Sequence, residues 1–220
     1  RDERNRLVGS EMCIRDRIQS PEALPPLLRL LQSPEPQLRV DALRALGDTV
    51  RRGVAEAIYA IAVSDYDPQV ARAAVYALAH LASAVPTQEA WAAGAEAMLA
   101  LIELMGDPRL AETCITAMTG ADTVNRISSD EQIKWLATGL NHELPAVRRA
   151  VVEVLTRLKK PAASEKVITA LADSDPGVRL AAVRSLGHLG NRDCLGAVAD
   201  LARYDSDPGV RRSAQKMLLM

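Results

Sequence analysis

Few residues in this 220-residue chain have side chains suited to chemistry, and the sharpest candidate among them is one dipeptide, His142-Glu143. A histidine beside a carboxylate can ligate a metal ion, but a metal centre needs several nitrogen and oxygen donors converging on one point. The pair occurs once, just ahead of Pro145, and the only other histidines are His80 and His188. His142 therefore reads as a loop histidine next to a helix start. The three cysteines, Cys13, Cys114 and Cys194, form no C-x-x-C pair, so neither a zinc site nor a dithiol redox centre is indicated. Cys114 falls on an apolar helix face, where a thiol acts as a small hydrophobe. Cys194 follows Asp193 at a helix start, a setting that can lower a thiol pKa, although a structural role is the expectation. No catalytic residue, metal or cofactor is expected, and the chain is read as a non-enzyme.

Composition narrows the class. The net charge is −1 and the isoelectric point about 6.4, which argues against wholesale attraction to nucleic acid or an anionic membrane. With no Phe, two Trp and four Tyr, the 48% of hydrophobic residues is mostly Ala, Leu, Val and Ile, side chains suited to closely packed helices. No run approaches the ~18 apolar residues of a membrane span, and no secretory signal is legible after Arg1. Unpaired, widely spaced cysteines fit a reducing compartment, so a cytoplasmic location is expected. Residues 1–17 are dense in charge, and the stretch VGSEMCIRDR resembles a translated sequencing adapter. That leader is set outside the fold, which is expected over residues 18–220.

What would position any site is a repeat. Six prolines, Pro36, Pro68, Pro108, Pro145, Pro176 and Pro208, are each followed at +2 by Val or Leu and at +10 by Leu or Met. Their spacings of 32, 40, 37, 31 and 32 residues mark one supersecondary unit repeated. Asp67, Asp107, Asp175 and Asp207 each precede a proline, which sets an N-cap acceptor before a residue suited to the first helical position. Each proline is thus expected to open a helix, called B. Before it lie amphipathic stretches such as Leu24 to Leu31, Ala95 to Met105, Ile133 to Leu140 and Val167 to Leu171, called A. A capping box is expected at Ser128 and Glu131. At about 100° per residue the +2, +6 and +10 positions of helix B share a face. All are apolar, so that face is predicted to be core. No sheet is expected. A helix pair cannot bury such a face alone, so neighbours must stack into a right-handed α-solenoid of about six helix pairs.

The pattern D-x-D-P-x-V-R-x-A-A, clearest in DSDPGVRLAAVRSLG from Asp173 and DSDPGVRRSAQKMLL from Asp205, resembles HEAT repeats of the armadillo/HEAT superhelix class. It is closest to the short variety named after phycobilisome lyases. The resemblance covers residues 20–220 and is loosest in the third and fourth copies, where Ala111 replaces the Arg and Leu144 the Asp before the proline. It implies a ladder between successive repeats, carried by Asp65, Asp173 and Asp205 with Arg39, Arg148, Arg179 and Arg211. These roles are structural. The His-Glu pairs of HEAT-fold deoxyhypusine hydroxylases are not repeated here, and Trp91 and Trp135 lie on A helices rather than on the wall used by HEAT-fold DNA glycosylases.

Opposite the core of helix B lie the +1, +4, +8 and +12 positions, the side that the resemblance places in a concave groove. They carry Arg44, Arg72, Arg109, Arg149, Arg157, Arg184, Arg212 and Lys216 against Asp48, Glu112 and Glu153, with Tyr76, His80 and His188 among them. Eight cations less three anions leaves +5 on a chain of net −1. Arginine pairs bidentately with carboxylates. The expected function is therefore a scaffold that binds another protein through an acidic surface or peptide. An accessory bilin lyase or chaperone is the alternative, and nucleic-acid binding a lesser one. The terminal run Met217-Leu218-Leu219-Met220 has no helix-stop signal, so an open apolar end is expected, belonging to a longer array or to end-to-end self-association.

Overall fold

The computed structural model describes residues 21–49, 51–83, 88–120, 123, 127 and 129–219; the leader, including Cys13, lies outside them. Among the described residues there are helices and no strand. None of these helices is long and apolar enough to cross a membrane. The chain divides into two compact units, one ending at Leu101 and one starting at Ile102.

The first unit contains α1 (Leu24–Leu30), α2 (Pro36–Gly47), α3 (Val54–Ser64), α4 (Pro68–Ala82) and most of α5 (Gln88–Leu104). Here α1 packs on α2, α2 on α4 and α3 on α4, so the two B helices, α2 and α4, lie side by side. The second unit holds α6 (Ala111–Thr119), α7 (Asp130–Ala137), α8 (Pro145–Leu158), α9 (Pro161–Thr169), α10 (Pro176–Leu189), α11 (Leu195–Tyr204) and α12 (Pro208–Leu218). Its B helices pack in sequence, α6 on α8, α8 on α10 and α10 on α12, with α7, α9 and α11 as the A layer. Short 3-10 turns, Thr138–Asn141 and Ala170–Ala172, extend α7 and α9. Each unit is a stack of helix pairs.

The apolar register of helix B is realised. Every +2, +6 and +10 side chain is buried except Leu38 and Leu218, 40% exposed each, on the first and last B helices. Packing is close enough to demand small residues. A Cβ on Gly139 would stand 2.7 Å from Val151 Cγ2 and 3.1 Å from Ile102 Cγ2, so only glycine fits where that 3-10 turn meets α8. The proline-and-cap signal also holds in most copies. Asp67, Asp175 and Asp207 accept the amides of Gln69, Val178 and Val210 (2.7, 3.0 and 2.9 Å) with proline at the first turn behind them.

Two expectations need correction. Pro108 does not open a helix: residues 108–110 form turns, and α6 starts at Ala111 with Leu110 as its cap. In the regular loops the Asp three residues before the proline accepts the N–H of the residue before the proline, as Asp65, Asp173 and Asp205 do at 2.8–2.9 Å. Met105 holds that position in the third copy and has no acceptor to offer. The capping box sits one residue on, at Ser129 and Gln132, where Ser129 has the extended backbone a cap needs. Ser128 lies outside the described residues, and Glu131 pairs instead with Lys134 at 2.6 Å.

The loops are joined by charged rungs at the positions the resemblance assigned. Arg39 grips Asp65 with two parallel bonds (2.7 and 2.9 Å), Arg148 grips Asp173 (both 2.8 Å) and Arg179 grips Asp205 (both 2.7 Å). The remaining guanidinium nitrogen, Nη1, donates to two carbonyls of its own loop, which in Arg148 are those of His142 and Glu143. Arg211 makes the same two carbonyl bonds, to Asp205 and Ser206. Burial opposes the charge on Asp65 and Asp173, but the arginine and loop N–H bonds outweigh it; in Asp205 the Arg179 bond leads. All three carboxyls are held below their ordinary 3.8.

A carboxyl whose pKa is lower in the folded state makes the fold bind fewer protons, so its contribution is complete above about pH 5 and is lost as pH falls through 3.8 and below. Asp173→Asn is expected to lose about 2–3 kcal/mol at pH 7, as breaking a largely buried charge pair does. In urea melts the gap to wild type should close towards pH 3. A gap independent of pH would mean that charge does not hold the rung.

Candidate functional site

His142 is drawn into the loop it belongs to. The Leu144 N–H donates to its Nδ1 (3.1 Å), so the neutral ring carries its proton on Nε2, which faces Glu103 Oε2 at 3.7 Å. It does for this loop what Asp65, Asp173 and Asp205 do for theirs. Among the described residues no three His, Cys, Asp or Glu side chains come together to hold a metal ion. Cys114 is fully buried at a core position, and burial pushes its thiol up to about 12. Cys194, 2% exposed, caps α11 and donates to the Asn191 carbonyl (3.3 Å). Its thiol is raised, chiefly by burial, which overrides the lowering that its place at a helix start suggested. Trp135 is half-buried on α7, and Trp91 lies on α5.

The stripe residues separate by unit and by partner. In the first unit, Arg44 and Asp48 of α2 face Tyr76 and His80 of α4 across a floor of Gly47, Ala73 and Ala77. A Cβ on Gly47 would meet Ala77 Cα at 3.2 Å, which is how near the two helices come. This site is internally compensated. Arg44 lies 3.5 Å from Asp41, and the His80 Nδ1–H donates to the Gly47 carbonyl (3.0 Å) beside Asp48 (3.7 Å). Arg72 is exposed on α4 and makes no hydrogen bond or ion pair among the described residues.

In the second unit a groove of about 660 Å³ runs over α6, α8 and α10. Its floor is small and apolar, Ala111, Ala146, Ala150 and Ala181, and its rim carries Arg149, Glu153, Arg157, Arg184 and His188. A smaller recess of about 140 Å³ follows between α10 and α12, walled by Arg184, His188, Lys216, Ser213 and Met217. Arg157 is already engaged, by Glu153 (2.6 Å) and the Thr119 hydroxyl (3.1 Å). Arg149 crosses towards α10, its Cδ 3.5 Å from where a Cβ on Gly177 would lie. Arg149, Arg184, Arg212 and Lys216 are exposed and make no hydrogen bond or ion pair among the described residues. Arg109 does not join them: in the turn before α6 it folds back on Asp107 (2.7 Å). That bond and the Arg109 amide hold the Asp107 carboxyl below its ordinary value.

The recesses share one register. Each takes the +8, +11 and +12 residues of one B helix and the +5, +8 and +9 residues of the next: Arg44, Gly47 and Asp48 with Ala73, Tyr76 and Ala77, and again Arg184, Gly187 and His188 with Ser213, Lys216 and Met217. The floor positions escaped the sequence reading, although small residues at +5 (Ala73, Ala150, Ala181 and Ser213) were a usable signal. At the C-terminal end, Met217 is buried against α10, while Leu218 and Leu219 are 40% and 88% exposed; Met220 lies outside the described residues. The turn is therefore only partly open.

The sequence profile described as HEAT repeats matches residues 8–79, 24–108 and 164–219, more than half of the chain. The chain belongs to the HEAT-repeat family. Its fold is shared by a structure concerned with microtubule plus-end tracking by XMAP215, CLIP-170 and EB1, at TM-score 0.57 and 20% identity over 87% of this chain and 88% of that one. A designed armadillo repeat protein in complex with the peptide (KR)4 is more distant, at TM-score 0.44 and 18% identity over 89% and 98% of the two chains. Human deoxyhypusine hydroxylase in complex with glycerol aligns at TM-score 0.42 and 19% identity over 96% and 89%. No curated protein matches this chain.

The helix-buried thiols of this HEAT-repeat chain give a direct check on its structural cysteines. In a Cys13→Ser variant, an aromatic disulfide reagent at pH 8 should leave Cys114 and Cys194 unmodified over a time that fully labels the urea-unfolded chain. Prompt labelling of native Cys194 would show a reactive thiol instead.

Proposed function

We propose that this HEAT-repeat chain is a protein-interaction scaffold that takes an acidic segment of its partner into the groove of the second unit. The observation that carries this reading is a set of exposed cations with no hydrogen bond or ion pair among the described residues: Arg149 and Arg184 on the groove with its floor of small apolar side chains, Lys216 on the adjoining recess, and Arg212 elsewhere on α12. Arginines already tied to carboxylates, such as Arg109 and Arg157, have little left to offer an incoming anion. An untied guanidinium presents its fork to a carboxylate by giving up water alone, with no internal ion pair to break. The alanine floor lets a backbone approach closely. Arg72 and Tyr76 of the first unit are proposed as a separate, secondary contact. The loops Asp173–Pro176 and Asp205–Pro208 support a place among the short phycobilisome-lyase type of repeat.

A labelled, capped dodecamer of glutamate is the direct probe. It should bind the wild-type chain and weaken with added salt, because exposed charges are screened within about 8 Å at physiological ionic strength. Changing Arg149, Arg184 and Arg212 together to Glu should reduce affinity at least tenfold, since each exposed contact contributes roughly 0.2–1 kcal/mol and reversal adds repulsion. Helical circular dichroism should be unchanged. Equal binding by the triple variant would leave these residues as solvated surface.

A further inference from the structure

The register of the cations says how the acidic residues of a ligand should be spaced. Arg184 and Lys216 both occupy the +8 position, on the neighbouring helices α10 and α12, and together wall one recess. Residues at equal register on these adjacent helices are separated by the interaxial distance, about 8–10 Å, together with an axial slip of about three residues, or about 4.5 Å, which gives about 9–11 Å. Arg149 and Arg212 both occupy +4, on α8 and α12, with α10 packed between those helices, so they stand about two such steps apart. A ligand crossing the helices must bring a carboxylate round to the same face at that interval.

Only some backbones do so. A β-strand returns to one face every second residue, about 6.7 Å, and then at about 13 Å, which straddles the helix spacing without matching it. A polyproline II chain has three residues per turn and a rise of about 3.1 Å, so every third side chain faces the same way at about 9.3 Å. Two turns, about 19 Å, match the Arg149 to Arg212 step. Among the described residues no Asp or Glu lines the recess of about 140 Å³ that Arg184 and Lys216 wall, so both cations are open to a ligand carboxylate. The Ser213 hydroxyl offers it a further hydrogen-bond donor.

We infer that the second unit reads a polyproline II segment carrying an acidic residue at every third position, with successive carboxylates at Arg184 and at Lys216. This rests on the acidic-ligand reading of the groove and adds the register. The test compares two capped, labelled dodecapeptides of one composition by fluorescence anisotropy against the whole chain. The periodic peptide repeats the tripeptide Glu-Pro-Pro, and the block peptide gathers the same glutamates at its N-terminal end ahead of all the prolines. The periodic peptide should bind at least tenfold tighter, and the double variant Arg184→Glu, Lys216→Glu should erase the difference while the helical spectrum is retained. Equal affinity of the two peptides overturns the register and leaves the acidic groove standing. Binding of neither overturns both. Tighter binding of a single-stranded oligonucleotide of equal charge overturns the peptide as the occupant.

Discussion

One guanidinium does three jobs in each regular loop of this protein, and the helix pairs depend on it. Arg39, Arg148 and Arg179 each use Nη1 to satisfy two carbonyls left exposed where an A helix ends, and use the opposite edge to hold an aspartate of the next loop. That aspartate in turn accepts a loop N–H and so sets up the extended cap before the proline. Backbone satisfaction, helix start and repeat-to-repeat register are thereby fixed by a single side-chain pair. Nonpolar stacking of the B faces supplies the bulk of the burial, but apart from close fits such as Gly47 against Ala77 it carries no directional constraint along the helix axis. The rungs add one.

Much of this could be read from residue order because the signals are local. Proline with an aspartate before it opens a helix for reasons contained in four residues, and a face of apolar side chains four apart is buried wherever helices stack. The reading failed where a long-range contact decides the local outcome. Pro108 has the right neighbours on both sides, Asp107 and Leu110, yet α6 starts at Ala111, in the loop where Met105 stands for the aspartate of one rung and Ala111 for the arginine of the next. The capping box differs by one residue for a local reason: two adjacent serines are equal in sequence, and the described Ser129 has the extended backbone of a cap with Gln132 three residues on.

The groove was legible in part for a related reason. Helical register alone places Arg149, Arg157, Arg184 and Lys216 on one side of the B helices. It does not say which of them is already spent. Arg157 is taken by Glu153 and Thr119, and Arg109 by Asp107, whereas Arg184 has no hydrogen bond or ion pair among the described residues. Cys194 shows the same limit from the other direction, since burial outweighs its place at a helix start and raises the thiol.

The rungs are also kept or lost whole. Arg39, Arg148 and Arg179 each have an aspartate one loop downstream, and where Ala71 and Ala111 stand in the arginine position the downstream residues are Met105 and His142. A half-rung would strand a charge in a poorly hydrated joint, which costs more than the absence of both members. This sets the grain along which the chain can be recombined. Cutting at the boundaries of a helix pair severs every rung, because its two halves belong to different repeats. A cassette running from within one B helix to within the next, with the loop between, carries Arg179's aspartate but leaves Arg179 behind; moving the cut upstream of the arginine keeps both. The segment that carries a whole rung is thus offset from the visible repeat, starting at a proline and ending past the following aspartate.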